Sequence, residues 1–329
     1  MDAQKLKIAT DRQDCARKLQ FQDQDFIQAQ QQWIAILEGT SIHLGFESIR
    51  GINPGNATEA KLQSFRESID ISKFSNHLSR FQDKDFESRG LRLKCHPAQW
   101  FSSEDVPLSK PVDVHALKER LYALDSFVQE KNAEFILRES SGGFFMMALQ
   151  LSPKFFIGVG ATNSLFNLST LAHEIGHTTA SVERNVEKEF LTYPASAVEG
   201  FIFSNEVDSY KYELLFMRKI SHFSAIISSQ QSVAEIQDRL LKRKAIQNNI
   251  HLLKHKLNAA FFGGEPLKEI AKSFRSQIES IYPSFPSVSQ FDWIEYATLD
   301  QPLSRIPYIE AYERTFGMPS VTYPWSFSN

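Results

Sequence analysis

His173 and His177 stand four residues apart in the stretch TLAHEIGHTTASVER, with Glu174 directly after the first histidine. On an α-helix this spacing projects both imidazoles from one face, about one turn apart. Two imidazoles so placed can reach one tetrahedral zinc ion, and the adjoining glutamate can aim its carboxylate at a water activated by that ion. The chemistry expected of such a pattern is metal-assisted hydrolysis, with Glu174 as general base. The plain alternative is a partly buried helix whose histidines make ordinary hydrogen bonds, and a third ligand distinguishes the two.

Three carboxylates compete for the third position. Glu183 lies six residues beyond His177, where a longer motif requires a glycine to break the helix, and Ala180 occupies that position. Glu199 and Glu206 fall seven residues apart in the next helical segment, with Glu213 continuing the same stripe. Spacing leaves Glu199 and Glu206 open. Cysteine is not a candidate, because Cys15 and Cys95 lie far apart and neither belongs to a CxxC pair.

These residues need helices to carry them. The apolar spacing predicts a helix beginning near Asn163–Asn167 and carrying HEIGH, then one over about 195–219. A long helix over about 233–262 should stop at Gly263-Gly264, with others over about 266–281 and 307–316. GGFFMMALQL and KFFIGVG are short runs rich in β-formers, joined through Ser152-Pro153, and read as a hairpin or two neighbouring strands. Upstream, 115–132 and parts of 1–51 have helical spacing, 104–114 is a proline-containing connector, and a Phe-studded helical run extends from Ala60 to about Phe81. The expected fold class is mainly α with a small β-sheet. A helical region over 1–115 precedes a candidate catalytic domain over 116–329.

Composition narrows the class further. A net charge of −3 gives no global field for nucleic acid, and no apolar run is long enough to span a bilayer. The start of the chain lacks an apolar leader, so the expectation is a cytoplasmic protein, with export by a specialised system as the exception. The 27 Phe are assigned to the core by default. HLLKH at His251–His255 repeats the four-residue spacing without an adjacent acid, in a helix carrying Arg239, Lys242, Arg243, Lys244, Lys254 and Lys256. It reads as a solvated basic face, with contact to nucleic-acid phosphates as the weaker alternative.

From about Leu117 to Gly317 the chain resembles the oligoendopeptidase F and thimet oligopeptidase group of zinc metallopeptidases. The resemblance rests on the order Gly142-Gly143 with FFMMA, PKFFIGVG, TLAHEIGH, then Glu206-Val207-Asp208-Ser209 with Glu213, and Ser304-Arg305-Ile306-Pro307-Tyr308. It implies a zincin-like core of the HExxH-plus-glutamate kind, with Zn2+ held by His173, His177 and Glu206. Glu213 would then orient a ligand histidine. It also implies a phenol over the substrate carbonyl, from Tyr308, which stands where the family has histidine, or from Tyr312. Gly142 and Gly143 would let an extended peptide approach the strand edge; a plain turn entering a strand is their simpler reading. The function expected is a zinc-dependent endopeptidase acting on peptides or proteins. Two further readings are an effector or toxin protease that cuts one folded protein, and a non-catalytic zinc-stabilised peptide-binding module.

Overall fold

The structure, a computed structural model, describes residues 52–86, 105–109, 134–139, 145–148, 154–159, 164–183, 195–227 and 231–316, the last with short gaps near 284–288 and 298–301. The expectations for 1–51 and 115–132, and for Gly142 and Gly143, lie outside the described residues. The fold is mostly helical, and no described helix is long and apolar enough to cross a membrane.

Helix α1 (Glu59–Glu67) starts where Thr58 Oγ1 accepts from Lys61 N at 3.2 Å. The long helix expected from Ala60 to Phe81 does not form. Ser68 Oγ donates to Phe65 O at 2.6 Å, and Asp70 Oδ1 accepts from both Ser72 N and Ser72 Oγ. These local side-chain bonds compete with the helical ladder, leaving a 3-10 turn at Ile71–Lys73 and the short α2 (Ser75–Leu78).

Three strands follow: β1 (Glu134–Glu139), β2 (Phe145–Ala148) and β3 (Lys154–Val159), in the spatial order β1-β3-β2. The expected neighbours β2 and β3 pair antiparallel, from Phe145 opposite Gly158 to Ala148 opposite Phe155. The sequence reading assigns no element to EFILRE, which forms β1 and pairs parallel with β3 from Glu134 opposite Lys154 to Glu139 opposite Val159.

The helices that carry the candidate chemistry come next. Helix α3 (Leu165–Glu183) holds the HEIGH residues. Its first amides are satisfied by the connector: Leu165 N donates to Val106 O at 3.0 Å and Phe166 N to Asp105 Oδ1 at 3.1 Å. A helix start tied in this way resists fraying, which holds the histidines two and three turns later in place. Helix α4 (Ala195–Arg218) packs along α3, and α5 (Val233–Phe262) runs through the molecule. A capping box opens α5, with Glu235 N donating to Ser232 Oγ at 3.3 Å and Ser232 N to Glu235 Oε2 at 2.7 Å. Gly264, at φ +88°, follows its end in a conformation that suits glycine. Helices α6 (Leu267–Ile281), α7 (Trp293–Tyr296) and α8 (Ile306–Thr315) complete the described chain.

Buried residues surround α5 on all sides, so two cores share it. One packs Phe166, Leu171, Ile175, Phe216 and Ile220 against Leu240. The other gathers Phe65, Phe74, Phe261, Phe262, Phe274 and Trp293, bringing the described part of 52–86 against α5 and α6. That segment is also pinned by polar contacts. Arg66 Nη1 donates to Glu265 O at 2.9 Å, Arg80 pairs with Glu310 at 3.0 Å, and His255 Nε2 meets Arg80 O at 2.8 Å.

The reading of HLLKH and its basic neighbours as a solvated face is overturned for Arg243, Lys244 and His255, whereas the Lys242 side chain stays half-exposed and pairs with Asp238 one turn earlier. Lys244 and His255 are buried, and Arg243 lies over the Phe166 ring at 4.1 Å. The stripe turns inward because partner carboxylates and carbonyls from other elements await it there. Burial holds the His255 imidazole down at about 4 against an ordinary 6.5. An imidazole depressed in the folded state contributes stability that is complete above pH 6.5 and drains as pH falls toward 4, worth about 3 kcal/mol in all. Urea titrations should show that loss across this window, and His255→Gln, which keeps a donor for Arg80 O, should flatten it. An unchanged pH profile in the variant would remove His255 as the cause.

Candidate metal centre

Helices α3 and α4 meet at Gly176, the glycine inside HEIGH. A Cβ placed on Gly176 would stand 2.6 Å from Ser209 Cα, 3.0 Å from Tyr212 Cβ and 3.1 Å from Asp208 O. The two backbones are therefore closer than any side chain at position 176 allows. Glu206 lies one turn before this contact on α4 and Glu213 one turn after it, so both carboxylates reach the face of α3 that carries the histidines.

Donor atoms of three residues converge there. His173 Nε2 and His177 Nε2 are 3.0 Å apart, Glu206 Oε2 is 3.2 Å from His173 Nε2, and Glu206 Oε1 is 3.7 Å from His177 Nε2. Three ligands around a tetrahedral ion at ordinary zinc–nitrogen and zinc–oxygen lengths are separated by about 3.4 Å. The spacing thus suits a single small divalent ion. Glu199 and Glu183 lie on α4 and α3, with side chains outside the described part.

The protonation pattern fits the same conclusion. His173 Nδ1 is 2.7 Å from Glu213 Oε1, and Lys244 Nζ donates to that same oxygen at 2.6 Å. Against the cost of burial, Lys244 and His173 hold Glu213 ionised, down at about 2. A carboxylate there accepts, so Nδ1 of His173 carries the proton and donates. In a neutral imidazole this leaves the Nε2 lone pair aimed at His177 and Glu206. Lone pairs and a carboxylate facing one another at these distances favour a positive charge between them, either a proton or a metal ion. With only protons to serve, burial would depress the His173 imidazolium, yet Glu206 and Glu213 outweigh it and push it up to about 10. Glu206 resists burial in the same way, held low by His177 and His173. A metal ion would compete with that proton for the same lone pair.

Glu174 is buried beside the pair, and desolvation raises its carboxyl above the ordinary range. It borders a cavity of about 200 Å³ that is also lined by His173, Ser169, Thr170, Tyr210 and Tyr308. From α8, Tyr308 reaches this cavity with its ring stacked on His251 at 4.8 Å, and the Glu206 charge pushes its phenol well up. Tyr312 does not line the cavity. It is buried in an apolar cluster with Val207, Tyr210 and Ala245, stacked on Phe316 at 5.5 Å.

Sequence reasoning missed Gly176, Lys244 and His251. Lys244 was hidden in a basic stripe with no acid at helical spacing to mark it, because its partner Glu213 comes from another helix. Tyr210, whose ring lies 3.9 Å below Lys244 Nζ, carried no signal at all.

Glu206→Ala should lose most of its affinity for zinc or cobalt in equilibrium dialysis, whereas Glu199→Ala should not; equal metal content would refute the ligand assignment. Gly176→Ala should force the helices apart at a cost of about 1–3 kcal/mol and weaken metal binding as well. Wild-type stability and affinity in that variant would show that the close approach is dispensable. Compared with protein-family models, curated proteins and solved structures, the chain finds no match.

Proposed function

We propose that the chain is a zinc-dependent endopeptidase with a zincin-like core, in which one helix presents two histidines and a general base and the next helix presents a glutamate ligand. The observation that carries this reading is the convergence of His173, His177 and Glu206 within 4.8 Å of one another, with Glu174 buried beside them. These three residues would hold the ion. Bound there, zinc supplies Lewis acidity, making water a nucleophile near neutral pH and polarising a carbonyl.

The chain's own groups do the rest. Glu174 takes a proton from the attacking water as its oxygen adds to the peptide carbon, and returns a proton to the departing amine as the C–N bond breaks. Desolvation moves its carboxyl toward the range where a base can both accept and release a proton. Tyr308 keeps its proton, because Glu206 and burial disfavour the phenolate, and so remains a donor for the charge that develops on the carbonyl oxygen. Glu213 orients His173, and Lys244 keeps Glu213 charged. The edge of β2 facing away from β3 has no pairing partner among the described strands, which supports an extended peptide adding there through main-chain hydrogen bonds.

Glu174→Gln should retain metal while hydrolysis of unfolded casein falls about a thousandfold; full turnover in that variant would end this mechanism. Tyr308→Phe should lower kcat by about a hundredfold with KM little changed, and Tyr312→Phe should not. The reverse pattern would transfer the donor role to Tyr312.

A further inference from the structure

Tyr308 lies in the first turn of α8, where Pro307 shares the turn and Ile309 N donates to Arg305 O at 3.2 Å. That fixes the backbone at residue 308 and leaves the phenol ring to be aimed by its neighbours. Rotation of a tyrosine ring about its last bond is a broad, twofold torsion. A donor that must meet one carbonyl oxygen therefore needs a surface to set its plane.

His251 presents such a surface. It lines the cavity from α5 together with Tyr308, and the two rings are nearly parallel, with 16° between their planes and centroids 4.8 Å apart. That separation lies in the favourable range for stacked aromatic rings. Tyr308 also packs against the cluster of Val207, Tyr210 and Tyr312, so side chains from more than one helix hold it. Neither hydrogen bonding nor charge accounts for an imidazole at position 251. Its Nδ1 is buried without a hydrogen-bond partner among the described residues. Burial, with the charges of Arg305, Lys244 and Lys254, holds the imidazole well below its ordinary range, so the ring is neutral. What His251 offers Tyr308 is a flat face.

We propose that His251 is a positioning residue: by stacking on Tyr308 it fixes the plane of the phenol, and with it the line along which the O–H is offered to the reacting carbonyl. This rests on the peptidase reading and deepens it, giving α5 a part in a site whose metal-binding groups and base come from α3 and α4. The stack touches the donor and not the metal-binding residues. Removing it should therefore slow the chemical step and spare the metal.

The test uses the zinc-loaded full chain labelled with 3-fluorotyrosine, in which the fluorine resonance of Tyr308 is the one lost in Tyr308→Phe. His251→Leu and His251→Gln, which both remove the aromatic face, should shift and broaden that resonance. His251→Phe, which keeps a face, should leave it sharp. With a peptide that the unaltered chain cuts, the first two should lower kcat about ten- to a hundredfold while KM and zinc content hold. His251→Phe should recover most of that loss. In a chain already carrying Tyr308→Phe, His251→Leu should cost nothing further, because no phenol is left to aim. If His251→Leu fails to fold, His251→Gln set against His251→Phe still decides. A Tyr308 resonance untouched by loss of the face would overturn the positioning role and leave hydrolysis standing. So would an equal loss of kcat with and without the phenol, or a His251→Phe chain as slow as His251→Gln. A shifted resonance in a chain that cuts no peptide would uphold the positioning of the ring and overturn the peptidase.

Discussion

The whole site depends on how closely α3 and α4 can approach at Gly176. Nothing larger than hydrogen fits between that residue and the Ser209 backbone. The contact sets the depth at which the second helix lies, and hence whether carboxylates one turn to either side reach the histidines. A methyl group of displacement matters because the donor atoms are already at separations that one small ion can span. The rest of the architecture serves this crossing. Asp105 and Val106 tie down the start of α3, and Phe216 and Ile220 anchor the end of α4 in a core shared with α5.

The second constraint is electrostatic. Three carboxylates, Glu174 and Glu213 buried and Glu206 partly so, are gathered within a small volume, and each needs a compensating charge. Lys244 serves Glu213 from α5, and its own stem is steadied by the Tyr210 ring. Glu206 has the two imidazoles, with Lys244 adding to the field around it, and together with Glu213 it holds a proton firmly at His173. Glu174 answers the same pressure differently, drifting toward its neutral form. One principle thus sets the three glutamates apart, each by what stands beside it.

The inward basic stripe of α5 illustrates why patterns of charge mislead. In an isolated helix such a stripe belongs in water. Here the helix is surrounded, so Arg243, Lys244 and His255 meet an aromatic face, a carboxylate and a main-chain carbonyl respectively. Local bonds instead broke the expected helix after Glu67, where Ser68 and Asp70 found closer partners than the ladder offered.

Much was legible in the residues themselves. The mostly helical character, the start of α3, the bounds of α4 to α6 and α8, the β2–β3 pair and the projection of His173 and His177 from one face all follow from local periodicity, capping and turn chemistry. These are properties of neighbours in sequence. Choosing between Glu199 and Glu206 by spacing was out of reach, as were the parallel β1 strand, the burial of Tyr312 and the pairing of Lys244 with Glu213. Each of those depends on which faces of distant elements meet. A repeat of seven residues states that two glutamates share a side of a helix, but only the packing of that helix on its neighbour brings Glu206 to the face that carries His173 and His177.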